Sequence, residues 1–289
     1  MAERKEKDRD TMDIGLIALD LDGTLLTTEK RLTERTCAAL EGAAKRGVHI
    51  VPATGRSLTG IAPEVRELPF IRYAVTVNGA AVWDMKENKM ISRKAFSRDQ
   101  ALELWDFISG YHTMQDACID GVARMEPGYY NRAREFMADE PRTHLILSTR
   151  RPTEHMRDMV ADEKNCVEKF NLFFRQDRER ERQQAKRQLE QFPGLSVTSS
   201  LGNNLEINHI DATKGKGLLS LAAYLGLDVS QVMAFGDGEN DISMLEAAGC
   251  GVAMANASER VKRAANMVTL NNDEEGVAYS IERYVLEVR

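Results

Sequence analysis

The sequence predicts an α/β fold in which a second domain is inserted into a parallel-sheet core. Short apolar runs alternate with helical patterns near both ends of the chain, as is typical of β-α units on a parallel sheet. Between residues 85 and 209 the charges balance, with 20 basic and 20 acidic residues, so the flanking segments carry the whole net charge of −6. We therefore expect a core made of residues 12–84 and 210–289 and an inserted domain made of residues 85–209.

The first part of the core is predicted to contain three strands and one helix. Residues 14–19 form an apolar run that indicates a buried strand. Thr33 can cap a helix that Gly47 ends, because a hydroxyl accepts hydrogen bonds from free helical N–H groups and glycine adopts the left-handed backbone of a helix end. Two further apolar runs, at 48–53 and 73–77, indicate the next strands.

The same alternation returns after the insertion. The pattern predicts a helix at 215–225, a strand at 232–235, a helix at 240–248, a short strand at 251–254 and a closing helix at 274–287. Both ends of the chain therefore belong to one α/β unit.

Composition narrows the class of protein. With 43% hydrophobic and 29% charged residues, the chain has enough apolar side chains for a packed core. Its net charge of −6 argues against a nucleic-acid-binding domain, which needs a basic surface. The four cysteines form no CxxC pair, which argues against a zinc site or a disulfide framework and favours the reducing cytoplasm. Eight of the first ten residues are charged and no long apolar run occurs, so we expect neither secretion nor a membrane span.

The strongest local signal is the segment Asp20-Leu21-Asp22-Gly23-Thr24, which directly follows the first predicted strand. Ligands bind at the carboxyl ends of strands in open parallel sheets, and side chains two apart on a strand point to the same side. Asp20 and Asp22 therefore face one site, where two carboxylates need a cation or a shared proton, and Mg²⁺ prefers oxygen ligands. The alternative is that Asp-Gly only begins a turn that the aspartates cap.

A second acidic group, Asp237, Glu239 and Asp241, follows the strand predicted at 232–235. Because Asp237 and Asp241 are four residues apart, they would lie on nearly one face of a beginning helix, with Asn240 beside them. Helix capping is the alternative; it explains one of these aspartates well and both, together with Glu239, less well. The segment fails the GxGxxG dinucleotide fingerprint, because Asp241 stands where the third glycine is required.

Two other segments are suited to bind a phosphate. Thr54 and Gly55 follow the second strand and offer a hydroxyl and a flexible backbone amide. Lys214 begins the helix after the insertion and can bring a positive charge to the same edge, with Lys216 as an alternative. Taken singly, a Thr-Gly pair is usually a turn and a lysine is usually a surface residue. The GxxxxGK[ST], GxSxG and HExxH motifs do not occur in the sequence.

Two segments of the insertion each allow two interpretations. The run at 175–187 holds six basic and three acidic residues and predicts a solvated, salt-bridged helix, with a binding surface as the alternative. The segment at 114–130 could pack within the insertion or contact a substrate.

Four motifs in chain order resemble those of the haloacid dehalogenase superfamily of phosphohydrolases. They are DLDGTLL at 20–26, ATGRS at 53–57, TKGKG at 213–217 and GDGENDISMLEAAGCGVAMANA at 236–257. The segment TVNGAAV at 76–82 is also similar to the Cof-type phosphatases, whose C2-type cap enters between the second and third motifs. The resemblance implies a Rossmann-like parallel-sheet core with an inserted α/β cap domain.

The resemblance also implies a role for each site residue. Asp20 would be the nucleophile that accepts the phosphoryl group, and Asp22 the general acid and base. Mg²⁺ would be held by Asp20, Asp237 and the backbone carbonyl of Asp22, while Asp241 would support the metal through water or hold the loop. The implied phosphate-binding residues are Thr54, Gly55, Lys214 and Asn240.

We therefore expect a cytoplasmic, magnesium-dependent phosphatase for small phosphomonoesters such as sugar phosphates, flavin mononucleotide or pyridoxal phosphate. The expected partner is a small phosphorylated metabolite, and neither nucleic acid nor a membrane. A phosphomutase of the same fold is the alternative, which requires an aspartyl-phosphate that survives until a second hydroxyl arrives. A non-catalytic binding protein would not need both aspartates of DLDGT. The sequence names neither the substrate nor the oligomeric state.

Overall fold

The computed structural model describes residues 12–287, so the charged segment at 1–10 lies outside the described residues. The described strands form sheets of five, six and three strands. In chain order they are β1 (Leu16–Leu19), β2 (His49–Pro52), β3 (Tyr73–Thr76), β4 (Ala81–Asp84), β5 (Lys89–Arg93), β6 (Met114–Ile119), β7 (Val122–Met125), β8 (Arg151–Pro152), β9 (Val167–Phe173), β10 (Leu195–Thr198), β11 (Asn204–His209), β12 (Val232–Gly236), β13 (Cys250–Ala253) and β14 (Met267–Val268).

The described α-helices lie between and around these strands. In chain order they are α1 (Glu34–Lys45), α2 (Pro63–Arg66), α3 (Arg98–Ile108), α4 (Pro127–Tyr130), α5 (Glu140–Thr149), α6 (Met156–Ala161), α7 (Glu179–Leu189), α8 (Lys214–Leu225), α9 (Ile242–Ala247), α10 (Glu259–Ala264) and α11 (Gly276–Ile281). Within residues 12–287, none of the helices combines the length and the apolar character that a bilayer crossing requires.

The five-stranded sheet forms the centre of the core. Its strand order is β14-β13-β12-β1-β2, and all neighbouring strands are parallel. β3 continues the sheet beside β2 through a parallel bridge between Ala53 and Val75. The predicted parallel α/β core is confirmed, and the carboxyl ends of β1, β2 and β12 meet at one edge.

Threonine side chains cap the starts of two core helices, the first of them as predicted. Thr33 caps α1 and Thr213 caps α8, each by accepting a hydrogen bond from the backbone N–H three residues later. Each cap satisfies one of the N–H groups that a helix start leaves without a partner. The α8 cap matters for the site, because it fixes the first turn of the helix that carries Lys214.

Two helices near the end of the chain differ from the prediction. The segment at 274–287 is not one helix, because Glu275 has a left-handed backbone with φ of 58°, so α11 begins at Gly276 and gives way to a π-helical turn. The helix predicted at 240–248 begins at Ile242, because the residues before it form a 3₁₀ turn.

The six-stranded sheet of the insertion has the order β10-β11-β9-β6-β7-β8 and is mostly antiparallel. One face packs against α3, α6 and α7 in a hydrophobic cluster that includes Phe170 and Ile207. Because side chains alternate along a strand, the other face presents the polar residues Asp116, Asn171 and Glu206, all of them buried. The face of the sheet that lies opposite the apolar cluster is therefore polar, and its side chains are nevertheless buried.

The strand β5 pairs with β4 and not with the sheet of the insertion. The junction predicted between residues 84 and 85 thus falls within the β4–β5 hairpin. The division of the chain into residues 12–84 with 210–289 and residues 85–209 stays a prediction, and the pairing of β5 favours a first junction after Arg93.

The two ambiguous segments of the insertion are explained by their packing. The charged run at 175–187 includes most of α7, where Arg182 lies 2.7 Å from Glu179, so the predicted salt-bridged helix is confirmed. The segment at 114–130 contains β6, whose side chains are all buried, which indicates that this part of the segment serves packing.

Candidate active site

Asp20 directly follows β1 at the carboxyl edge of the core sheet. Its Oδ1 accepts a hydrogen bond from Nζ of Lys214 at 2.6 Å, and Lys214 is completely buried at the first position of α8. The two residues are far apart in sequence, and the insertion lies between them. The other candidate, Lys216, is exposed and pairs with Asp211. Lys214 is therefore the lysine that reaches Asp20.

Asp241 fixes the segment that follows β12. Its Oδ1 accepts a hydrogen bond from Nζ of Lys214 at 2.6 Å, and its Oδ2 accepts hydrogen bonds from the backbone N–H groups of Asp237 at 3.0 Å and Gly238 at 2.8 Å. Of the two roles predicted for Asp241, the structure supports that of holding the loop.

Asp237 connects this loop to the segment after β1. Its Oδ1 accepts a hydrogen bond from the hydroxyl of Thr24 at 2.9 Å. Gly23, with φ of 88°, lies so close that a Cβ at this position would stand 2.4 Å from Oδ2 of Asp237. The Gly-Thr pair after the two aspartates is thus required by the approach of Asp237, and not only by a local turn.

The positive charge of Lys214 only partly compensates the carboxylates of the site. Burial raises the pKa of Asp20 well above its usual value; the Lys214 ammonium opposes this shift, and the Asp241 carboxylate adds to it. Burial likewise raises the pKa of Asp237 to about 6, with the charge of Asp241 contributing. Both shifts indicate that burial disfavours the ionised form of these carboxylates and that a further cation would favour it.

Three of these carboxylates can hold a further cation. One oxygen from each of Asp20, Asp237 and Asp241 lies within 4.8 Å of the others. A compact group of carboxylate oxygens is the donor set that hard cations such as Mg²⁺ prefer, so the residues fit the predicted metal.

The Asp22 carboxylate does not belong to this group, because two cations hold it elsewhere. Arg56 donates to it from Nε at 2.9 Å and from Nη2 at 2.8 Å, and Nζ of Lys30 lies 2.8 Å from Oδ1. Burial raises the pKa of Asp22, but the charges of Arg56 and Lys30 outweigh burial and hold the pKa below its usual value. Asp22 is therefore ionised in this conformation. The ATGRS segment contains Arg56, yet local pattern alone gave it no role.

Thr54 and Gly55 follow β2, beside the end of β1. The buried Thr54 hydroxyl accepts a hydrogen bond from the backbone N–H of Arg56 at 3.1 Å, so its own hydrogen is free to be donated to another acceptor. The Gly55 carbonyl accepts a hydrogen bond from Nζ of Lys169 at 2.7 Å. Lys169 lies on β9, so the insertion reaches into this loop.

Asn240 is linked to a turn of the core that local sequence patterns did not assign to the site. Its Nδ2 donates to Oδ1 of Asn78 at 3.1 Å, and Nδ2 of Asn78 donates to Oε2 of Glu206 on β11 at 2.7 Å. Residues 77–79 all have positive φ. The Asn-Gly pair in this turn is a usable sequence signal, since these residues adopt such a backbone most readily. Lys169 and Glu206 carry no comparable local signal.

A comparison with protein families decides the identity of this fold and site. Residues 17–281 match the model of the haloacid dehalogenase-like hydrolases. The matched region includes both parts of the core and the whole insertion. This chain belongs to the haloacid dehalogenase-like hydrolases. The predicted family is confirmed, and the protein is an enzyme.

Relatives of known description match nearly the whole chain. A 5-amino-6-(5-phospho-D-ribitylamino)uracil phosphatase from Bacillus subtilis is 30% identical over 279 residues, which cover 96% of this chain and 98% of the relative. A pyridoxal phosphate phosphatase from Escherichia coli is 31% identical over 287 residues, which cover 95% of this chain and 100% of the relative. The hydrolase is therefore a phosphatase of this family, as the motifs predicted.

Solved structures agree with the fold. A haloacid dehalogenase-like hydrolase from Bacillus subtilis superimposes with a TM-score of 0.80 at 26% identity and covers 94% of this chain and 100% of its own. A second hydrolase of this kind, from Bacteroides thetaiotaomicron, has a TM-score of 0.76 at 28% identity and covers 93% and 99%. The parallel-sheet core and the second sheet of a cap domain are thus features of the family.

Proposed function

We propose that this enzyme is a cytoplasmic, magnesium-dependent phosphatase that hydrolyses small phosphomonoesters through an aspartyl-phosphate. The contact between Asp20 and the completely buried Lys214, inside a group of three carboxylates, carries the proposal. It supports a nucleophile that lies next to the positive charge needed by the transferred phosphate. The four cysteines are all free, which supports a reducing compartment.

In the first step an oxygen of Asp20 attacks phosphorus and the bond to the leaving oxygen breaks. Asp22 donates a proton to that oxygen, and the alcohol leaves. In the second step Asp22 takes a proton from water, which attacks the phosphorus of the aspartyl-phosphate and releases inorganic phosphate. Asp20 returns as a carboxylate.

The pairing of Asp22 suits one of these steps better than the other. Arg56 and Lys30 keep Asp22 ionised, which is the form that takes the proton from water. Proton donation in the first step requires that these contacts loosen when a substrate is bound. The anionic phosphate itself offers Arg56 and Lys30 a competing partner.

The remaining residues position the phosphate. The free hydrogen of the Thr54 hydroxyl, the Gly55 amide, the Lys214 ammonium and the Asn240 amide are the donors we assign to its oxygens. Mg²⁺, held by Asp20, Asp237 and the backbone carbonyl of Asp22, would neutralise the negative charge that otherwise repels the nucleophile.

The substrate is a small phosphorylated metabolite of the sugar phosphate, flavin mononucleotide or pyridoxal phosphate class. Two relatives support this range, since they are named for a ribitylaminouracil phosphate and for pyridoxal phosphate. The inserted domain is proposed to act as a cap that covers the site and selects the leaving group.

A panel of phosphate esters tests this function. Purified enzyme with Mg²⁺ is assayed for phosphate release from metabolite esters and from p-nitrophenyl phosphate, with Asp20→Asn as the control of equal shape. Release by the wild type that is lost in the variant and with EDTA supports the proposal. The absence of any release, or an isomerised sugar phosphate as the main product, would contradict it.

A further inference from the structure

A buried charged pair of the cap ends on the backbone of the phosphate loop, which we define as residues 54–57. Lys169 on β9 and Glu206 on β11 are 6% and 5% exposed. Nζ of Lys169 lies 3.3 Å from Oε2 of Glu206 and donates a hydrogen bond to the Gly55 carbonyl at 2.7 Å. Burial of an ammonium group costs free energy, so the contact between Nζ of Lys169 and a backbone carbonyl of the core indicates a specific role for this lysine.

The Glu206 carboxylate also contacts the core directly. Its Oε2 accepts a hydrogen bond from Nδ2 of Asn78 at 2.7 Å. Burial alone would raise the pKa of Glu206, but the Lys169 charge and hydrogen bonds from Ser200 and Asn78 lower the pKa to about 2. Glu206 is thus ionised, and the pair contacts both Gly55 and the turn at 77–79.

Together these contacts hold three successive carbonyl groups of the phosphate loop. The Thr54 carbonyl accepts from the backbone N–H of Asn78 at 3.0 Å, and the Arg56 carbonyl accepts from that of Val77 at 2.9 Å. The Gly55 carbonyl between them is held by Lys169. The cap therefore supplies the middle of three anchors.

Because the peptide bond is planar, these contacts with the carbonyl groups also fix the direction of the neighbouring N–H groups. A fixed carbonyl fixes the N–H of the next residue, which points the opposite way. Lys169 thus fixes the Arg56 N–H, which donates to the Thr54 hydroxyl at 3.1 Å and leaves the hydrogen of that hydroxyl for the phosphate. Asn78 fixes the Gly55 N–H in the same way.

We propose that Lys169 is a positioning residue, which together with Glu206 orients the phosphate-binding donors of Thr54 and Gly55 when the cap is docked. The cap then determines how tightly the phosphate group is bound, in addition to which leaving group is accepted. This inference rests on the proposed function, because it concerns the same phosphate site.

The competing role for Lys169 is direct binding of the anionic substrate, and Glu206→Gln separates the two. If Lys169 binds the anion directly, removal of a nearby negative charge strengthens anion binding. If Lys169 is a positioning residue, the loss of its anchor weakens anion binding. The variant keeps the size of Glu206 and an acceptor for Asn78, and its thermal melt verifies that it folds.

The experiment compares Lys169→Met and Glu206→Gln with the wild type and with Arg93→Met. Arg93 is the matched control, because it also forms an ion pair with a residue of β9. Arg93 lies 3.3 Å from Glu168 on β9 and 3.1 Å from Asp120, and these ion pairs do not involve the phosphate loop. The readouts are the inhibition constant of inorganic phosphate, kcat/KM for p-nitrophenyl phosphate, and amide hydrogen exchange of residues 54–57. Thermal melts verify the fold of each variant.

We expect Lys169→Met to raise the inhibition constant roughly tenfold, because a hydrogen bond to a charged group is lost. Exchange of the loop amides should be faster, and Glu206→Gln should shift both readouts in the same direction. Arg93→Met should leave the inhibition constant within about twofold of the wild type, because no contact with the phosphate loop is lost. Lys169→Arg, which keeps a charged donor, should recover part of the loss.

The inference is overturned if Lys169→Met behaves like Arg93→Met, or if Glu206→Gln lowers or leaves unchanged the inhibition constant. If Lys169→Met does not fold, Glu206→Gln decides alone. If the wild type hydrolyses no ester, the proposed function has failed, and the exchange data on the loop still decide whether Lys169 positions it.

Discussion

The raised pKa values at the site predict how the stability of the metal-free enzyme changes with pH. A carboxyl whose pKa is higher in the folded state binds more protons there than in the unfolded state, so stability falls as pH rises through the folded-state pKa. For Asp237, with a pKa of about 6 instead of 3.8, this removes about 1.4 kcal/mol from the free energy of unfolding between pH 5 and pH 8. Asp20 adds a loss of the same sign.

Thermal and urea unfolding at pH 5, 6, 7 and 8, with EDTA or with Mg²⁺, measures this loss. The matched control is Asp237→Asn, which keeps an acceptor for the Thr24 hydroxyl but does not titrate. Burial lowers the pKa of His49, which gives a contribution of opposite sign that is common to both proteins and cancels in the difference. In EDTA the wild type should lose more stability than the variant as pH rises, and Mg²⁺ should stabilise the wild type increasingly with pH. Parallel pH profiles for the two proteins, or a magnesium effect that does not grow with pH, would refute the reasoning.

Three substitutions test other parts of the structure. Asp20→Asn should lower turnover by roughly 10³-fold or more with a nearly unchanged melting temperature, because an amide of the same shape cannot attack phosphorus; activity near that of the wild type would end the nucleophile assignment. Gly79→Ala should cost about 3 kcal/mol in urea unfolding and lower kcat/KM, because φ is 91° and a Cβ would lie 2.0 Å from the Thr213 carbonyl, next to Lys214. Asp116→Ala should also lower the free energy of unfolding by about 3 kcal/mol. It removes the carboxylate that accepts a hydrogen bond from Nε of Arg150 at 2.8 Å, so the Arg150 charge loses its ion-pair partner. A urea midpoint equal to that of the wild type would contradict this.

The parts of the site that lie next to strand ends could be predicted from the sequence. Asp20 and Asp237 directly follow apolar strands, and the parallel arrangement of those strands brings their ends to one edge. The start of α8 at Lys214 was also predicted from the sequence. Local patterns sufficed here because each signal and its structural effect lie within a few residues.

The partners of Asp22 and Gly55 could not be predicted in this way. Asp22 is held by Arg56 and Lys30, and the choice of these partners depends on side-chain packing after the chain has folded. Lys169 is 114 residues away from the Gly55 carbonyl that it contacts, and its surroundings in the sequence are those of any buried strand. The break before α11 has the same origin, since no local rule requires a glutamate such as Glu275 to adopt a left-handed backbone.

Both chain crossings between the core and the proposed cap lie beside the turn at 77–79, so a rotation of the cap would have its axis there. On the way out, the Lys94 N–H donates to the Ala80 carbonyl at 2.7 Å, and on the return Ala212 packs with Val77 and Ala80 in a small buried cluster. Displacement in a rotation grows with distance from the axis. In such a rotation β11, next to the return crossing, would move least, and β7 and β8, toward the opposite edge of the cap sheet, would move most. We expect the mouth through which substrate enters to open between β7 and Leu58–Gly60, on the side of the site where Arg56 holds Asp22.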